Sequence, residues 1–139
     1  MPYGFFNVNT PLNEVTYEYR PGSPERKLVE AAYKKMFNEQ VKVPLYLGDE
    51  EVFTAETRPI RPPHDHQHIV GTYSVAKPEH VKQAIDNALK AKVKWARMSW
   101  EHRVSIFIKA ADLIAGPYRA IINAGTMIGQ SKNIFQAEI

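Results

Sequence analysis

Pro78-Glu79-His80-Val81-Lys82-Gln83-Ala84-Ile85-Asp86-Asn87-Ala88-Leu89 is the stretch on which the fold turns. Val81, Ala84, Ile85, Ala88 and Leu89 recur at intervals of three and four. That is the 3.6-residue period of an amphipathic helix, not the alternation of a strand. Proline suits the first helical turn, because the N–H it lacks would have no partner there anyway. A helix over 78–95 is therefore predicted. It also marks a change of character: eight of the ten prolines lie before residue 64. Extended or irregular chain is expected ahead of it and helix behind.

Downstream, Ser99 caps a second helix with the stripe Val104, Phe107, Ile108, Ala111 and Ile114, stopped by Gly116-Pro117. Trp95 and Trp100 flank the bend between the two helices and read as packing anchors. Pro117 opens a third helix through about Met127. Gly129, Gln130 and Ser131 then punctuate, and Ser131 caps a fourth helix carrying Ile134 and Phe135. This last segment reaches Ile139 with no glycine, asparagine or proline to stop it. Two helical turns are marginal alone, so the expectation is the front part of a longer polypeptide.

Upstream, Ser23, Pro24 and Glu25 form a helix start, and Leu28, Val29, Ala32 and Met36 supply its apolar stripe. A helix over 24–38 follows, with Glu30 and Lys34 paired four apart outside. Val43–Leu47 and Val52–Thr54 flank Gly48-Asp49-Glu50, a hairpin signal. Arg58–Pro63 holds three prolines and is an edge strand or connector. Ile69–Val75 is a further short strand, with Gly71 at a bulge or close approach. Residues 1–22, including Tyr3, Phe5, Phe6, Tyr17 and Tyr19, read as an extended arm lying against other elements.

The 139 residues are 44% hydrophobic and 24% charged, a globular balance that argues against disorder. The chain has no cysteine, which rules out a disulfide scaffold, a thiolate metal site and a cysteine nucleophile within it. The net charge of +3 is spread along the chain. Lys90, Lys92, Lys94 and Arg97 read as the wet face of a helix, so no nucleic-acid partner is expected. No apolar run approaches the ~18 residues of a membrane span, and no membrane partner is expected. Met1–Thr10 shows neither a secretory nor a transit pattern, which makes the cytoplasm the expected compartment.

His64-Asp65-His66-Gln67-His68 is the most conspicuous cluster. On a straight strand its three histidines would share a face and could bind a metal. After Pro62-Pro63, however, a turn is expected, and the metal reading gives way. The glycines at 4, 22, 48, 71, 116, 125 and 129 are never two apart, so no phosphate-cradling loop is present. Gly125 and Gly129 instead suggest close approach of helices. Glu79/His80 and Glu101/His102 belong to first helical turns, where a carboxylate meets the positive end of the dipole. Ser23, Ser99 and Ser131 read as caps. The residues alone assign no catalytic, cofactor-binding or metal-binding position.

The segments in their order resemble the N-terminal portion of the aldehyde dehydrogenase superfamily. The resemblance is carried by Val43 to Val52, by Ile69 to Ala76, by Ala84 to Leu89 up to Trp95, and by Arg103 through Leu113. It sharpens toward the superfamily's 1-pyrroline-5-carboxylate dehydrogenase branch at Gly22-Ser23-Pro24-Glu25-Arg26, Gly48-Asp49-Glu50-Glu51-Val52, Phe107-Ile108-Lys109-Ala110-Ala111-Asp112, Gly116-Pro117-Tyr118-Arg119-Ala120 and Met127-Ile128-Gly129-Gln130-Ser131-Lys132.

The resemblance implies an α/β fold, the opening part of a Rossmann-like domain. Here that part is mostly helices, with a few short strands and the extended arm. Residues 1–40 would be arm and first helix. Residues 41–139 would be the opening strands and helices of an incomplete NAD-binding domain. The implied activity is NAD-dependent oxidation of L-glutamate γ-semialdehyde to L-glutamate in proline breakdown. NAD, the cysteine nucleophile and its glutamate base would lie beyond the matched region, leaving this stretch inactive alone. Implied partners are the remainder of the polypeptide, further copies in a homo-oligomer, and the small-molecule substrate. The residues also leave open a self-contained helical interaction module or another member of the superfamily.

Overall fold

The computed structural model describes residues 10–139; Tyr3, Phe5 and Phe6 of the predicted arm lie outside the described residues. From Thr10 to Arg20 the chain is without regular structure, as expected of an arm. Helix α1 (Pro24–Asn38) follows, with Ser23 Oγ accepting the Arg26 N–H and proline in the first turn. Glu30 pairs with Arg26 at 2.8 Å rather than with Lys34. The expected i,i+4 pair thus runs the other way along the helix.

Five short strands come next: β1 (Val41–Val43), β2 (Leu45–Leu47), β3 (Glu50–Val52), β4 (Thr57–Ile60) and β5 (Gly71–Ser74). β2 and β3 form the predicted hairpin, with Gly48 at φ 74° in the turn, where a Cβ would be strained. Val43 is not part of it. It belongs to β1, which pairs in parallel with β5 through Val41↔Gly71 and Val43↔Tyr73. Sequence reading missed this strand because its partner lies about thirty residues on. β4, with Pro59, is an edge strand antiparallel to β5, so the sheet runs β1-β5-β4. A Cβ at Gly71 would run into the Val41 carbonyl oxygen, the close approach foreseen for that glycine.

Helix α2 (Pro78–Arg97) extends two residues past the predicted end. The Lys77 N–H donates to His80 Nδ1 at 3.0 Å. α3 (Trp100–Ala115) is capped by Ser99, whose Oγ accepts the His102 N–H, and stops at Gly116. α4 (Arg119–Gln130) begins after Tyr118, not at Pro117, and runs past Gly129. Ser131 is its C-cap, left-handed at φ 55°, and not the N-cap of the last helix. That role falls to Asn133, which caps α5 (Ile134–Glu138). Asn133 and Gln136 exchange reciprocal bonds of 2.9 and 3.1 Å, a capping box.

The core lies where α1 packs on α4. Val29, Ala124 and Ile128 are buried there, and a Cβ on Gly125 would meet Met36 Cε at 3.5 Å. α2 and α3 bury no residue. Trp95 meets Phe107 edge-on at 6.3 Å, while Trp100 is more than half exposed.

Candidate functional site

The densest polar cluster is built around the last residue of α5. Five hydrogen bonds reach the Glu138 carboxylate. Oε1 accepts the Tyr17 N–H at 2.8 Å and one Arg119 guanidinium N–H; Oε2 accepts the Tyr19 hydroxyl at 2.7 Å, Asn123 Nδ2 at 2.7 Å and Arg119 Nε at 3.2 Å. Arg119 also donates to the Val15 carbonyl at 2.6 Å, and its guanidinium carbon lies 4.0 Å over the Tyr17 ring. Asn123 Nδ2 reaches the Tyr19 hydroxyl at 3.0 Å. Arg119 and Asn123 stand four apart on α4 and so share one face.

The cluster ties the arm to α4 and α5. Tyr19 is buried and sits at φ 50°, an uncommon conformation for a bulky residue, held by the bonds to its hydroxyl. Burial alone would raise the Glu138 pKa, but Arg119, the Tyr17 N–H, Tyr19 and Asn123 together hold it down to about 2. Burial, with the adjoining carboxylate, pushes Tyr19 up to about 12. Bonding to Glu138 raises Arg119 as well. A carboxylate this fully satisfied neither takes nor gives a proton near neutrality. The cluster is a clamp.

The histidine run forms a turn. Asp65 Oδ1 accepts the Gln67 and His68 N–H groups at 3.1 and 3.2 Å. His68 stacks on Phe37 with ring centroids 4.1 Å apart, and His64 bridges Ser131 Oγ at 2.9 Å and Tyr33 Oη at 3.3 Å. These histidines fasten the turn to α1 and to the end of α4. Among the described residues, no three His, Asp or Glu side chains stand together as a metal site. Lys90, Lys92, Lys94 and Arg97 are exposed, as a wet helix face requires.

Nor do these residues fit a dinucleotide. The turn from β5 into α2 is Val75-Ala76-Lys77, without glycine, and the His80 side chain already takes the Lys77 N–H. Ser23 and Ser99 are used as caps, and the Glu25 carboxylate beside Ser23 is held below its ordinary pKa by the bond from the Ser23 hydroxyl. Sequence reasoning passed over Tyr17, Arg119, Asn123 and Glu138 as a group. The local signal was Arg119 and Asn123, two polar residues four apart on one face of α4.

Residues 53–138, more than half of the chain, match the model of the aldehyde dehydrogenase family. The chain is 42% identical over 135 residues to the delta-1-pyrroline-5-carboxylate dehydrogenase of Agaricus bisporus, covering 96% of this chain and 25% of that protein. It is 39% identical over 127 residues to the mitochondrial enzyme of that name from Homo sapiens, covering 91% and 23%. Among solved structures, the delta-pyrroline-5-carboxylate dehydrogenase of Mycobacterium tuberculosis bound with NAD superposes with a TM-score of 0.94. That match is at 33% identity and covers 99% of this chain and 26% of that one. The chain spans about a quarter of the length of the relatives it matches. With its parallel and antiparallel short strands and its helices arranged as in those enzymes, this chain belongs to the aldehyde dehydrogenase family.

Proposed function

We propose that the chain serves as scaffold in a 1-pyrroline-5-carboxylate dehydrogenase whose whole polypeptide oxidises L-glutamate γ-semialdehyde to L-glutamate with NAD. The observation that carries this reading is the 42% identity to the Agaricus bisporus relative, sustained over 96% of the chain rather than at one motif. NAD, when bound, supplies the hydride acceptor. In this reading the cysteine nucleophile and the dinucleotide cradle lie in the three quarters this chain does not span. The absence of cysteine from its 139 residues supports that division. The chain's own part is mechanical: the clamp at Glu138 fastens arm, α4 and α5 into one piece. The working form is a cytoplasmic homo-oligomer.

Two measurements test the reading. The chain alone, given NAD and glutamate semialdehyde, should form no NADH above the buffer rate. The chain joined in one polypeptide to the three quarters of the Agaricus bisporus relative that it does not match should turn over this substrate in preference to unbranched aldehydes lacking the α-amino acid. Turnover by the chain alone, or a joined protein indifferent to the amino-acid group, would reject it. A second reading, a self-contained interaction module, draws support from the exposed apolar faces of α2 and α3. A cooperative melt of the chain alone as a monomer, without binding of a hydrophobic dye, would favour that module.

A further inference from the structure

Between the β2–β3 hairpin and α2 lies a cleft of about 350 Å³, room enough for a small polar molecule. The hairpin contributes Asp49 and Glu50 at its turn. The helix contributes Gln83, Asn87 and Lys90, spaced by four and three so that they share one face. Leu47 and Ala91 supply the apolar part of the lining. The two walls are fixed to each other. Asn87 Nδ2 donates to the Leu47 carbonyl at 3.0 Å, and a Cβ on Gly48 would meet that same nitrogen at 3.0 Å. Two carboxylates and one ammonium group thus stand around one cleft without pairing across it. The ion pairs among the described residues are Arg20–Glu18, Arg26–Glu30, Arg58–Glu56 and Arg119–Glu138, all of them elsewhere.

We infer that this cleft is a binding site for a zwitterionic amino acid, whose ammonium group meets Asp49 and Glu50 and whose carboxylate meets Lys90. The charge pattern chooses the class. A divalent cation is drawn to the two carboxylates but repelled by Lys90, and a phosphate or lone carboxylate meets the reverse. An apolar molecule would take water from all three charges and return no hydrogen bond. A molecule carrying both signs answers both walls with charge-assisted hydrogen bonds. Gln83 adds an amide that can donate or accept toward either end. The site shares no residue with the clamp at Glu138, and its occupancy does not depend on the activity proposed above.

Isothermal titration of the joined polypeptide described above tests the inference. The probes are glycine and γ-aminobutyrate, which carry the same two charges at different spacings. At least one should bind with a Kd of about 1 mM, as a few charged contacts open to water allow. Lys90→Glu should abolish that binding, and Asp49→Asn with Glu50→Gln should weaken it about tenfold. The three side chains are exposed, so each variant should melt with the parent. Acetate and methylammonium, each carrying one of the two charges, should bind about tenfold more weakly than the amino acid. No heat from either amino acid would overturn the inference. Binding that neither variant changes would place the amino acid elsewhere, the catalytic region included, and overturn it too. Acetate binding as tightly as the amino acid would make the cleft a simple anion site and overturn it equally.

Discussion

Arg119 and Glu138 face each other through both carboxylate oxygens, with side chains 12% and 1% exposed. Around their pairing arm, α4 and α5 meet. A buried ion pair is costly to assemble but costlier to break on one side, because the surviving charge stays out of water without a partner.

Glu138→Gln keeps the shape and removes the charge. It leaves the Arg119 guanidinium with one neutral amide oxygen in place of the carboxylate, beside the Val15 carbonyl and the Tyr17 ring. The expected cost is roughly 3–5 kcal/mol. It should appear as a lower melting temperature together with faster proteolysis between residues 10 and 20. An unchanged melt would show that the pair carries no net weight.

The acid limb of stability follows from the same carboxylate. Its pKa is held down from 4.5 to about 2 in the folded state. Stabilisation from Glu138 is therefore fully present above the unfolded value and is lost as pH falls from about 4.5 toward 2. Tyr19 works in the opposite sense: raised from 10.0 to about 12, it favours the folded state below pH 10 and ceases to as pH climbs toward 12. Denaturant midpoints measured from pH 2 to 6 should slope less steeply in Glu138→Gln than in the parent. Parallel slopes would contradict the assignment.

Asn133→Ala removes the side-chain acceptor for the Gln136 N–H and half of the reciprocal pair at the start of α5. Loss of a cap costs about 1 kcal/mol. Because α5 has only five residues and delivers Glu138, the arm should loosen with it. Exchange of the Tyr17 amide is the readout. If that amide stays protected while the melt drops, cap and clamp are independent.

Gly71→Ala would place a methyl group against the Val41 carbonyl oxygen and within 2.7 Å of Val41 Cγ2. Forcing atoms into such a space costs about 1–3 kcal/mol. The strain should fall on β1, so Val41 and Val43 should lose protection before β4 does. Equal loss on both sides of β5 would mean that the collision spreads through the whole sheet.

What was legible in the sequence was whatever neighbours a few residues apart decide. Ser23 and Ser99 are caps because a hydroxyl reaches a backbone N–H three residues on. Gly48 turns a hairpin because its φ is positive, and Pro59 confines β4 to an edge because it lacks a donor. One misreading was also local. Ser131 and Asn133 are both plausible caps, and only the left-handed turn after Gln130 decides between them.

Distance along the chain was what sequence reading could not cross. The parallel pairing of Val41 with Gly71 joins residues thirty apart, and Tyr17 finds Glu138 across 121. The period of α2 showed that it has an apolar stripe but not which side rests on the hairpin. Asn87 and the Leu47 carbonyl settle that orientation. The amino-acid order determined the caps, turns, periodicity and absence of a thiol, since these depend on each residue's own chemistry and its immediate neighbours. Tertiary structure alone decided the Glu138 clamp and the outward stripe of α2, because both depend on which distant groups share one low-dielectric space.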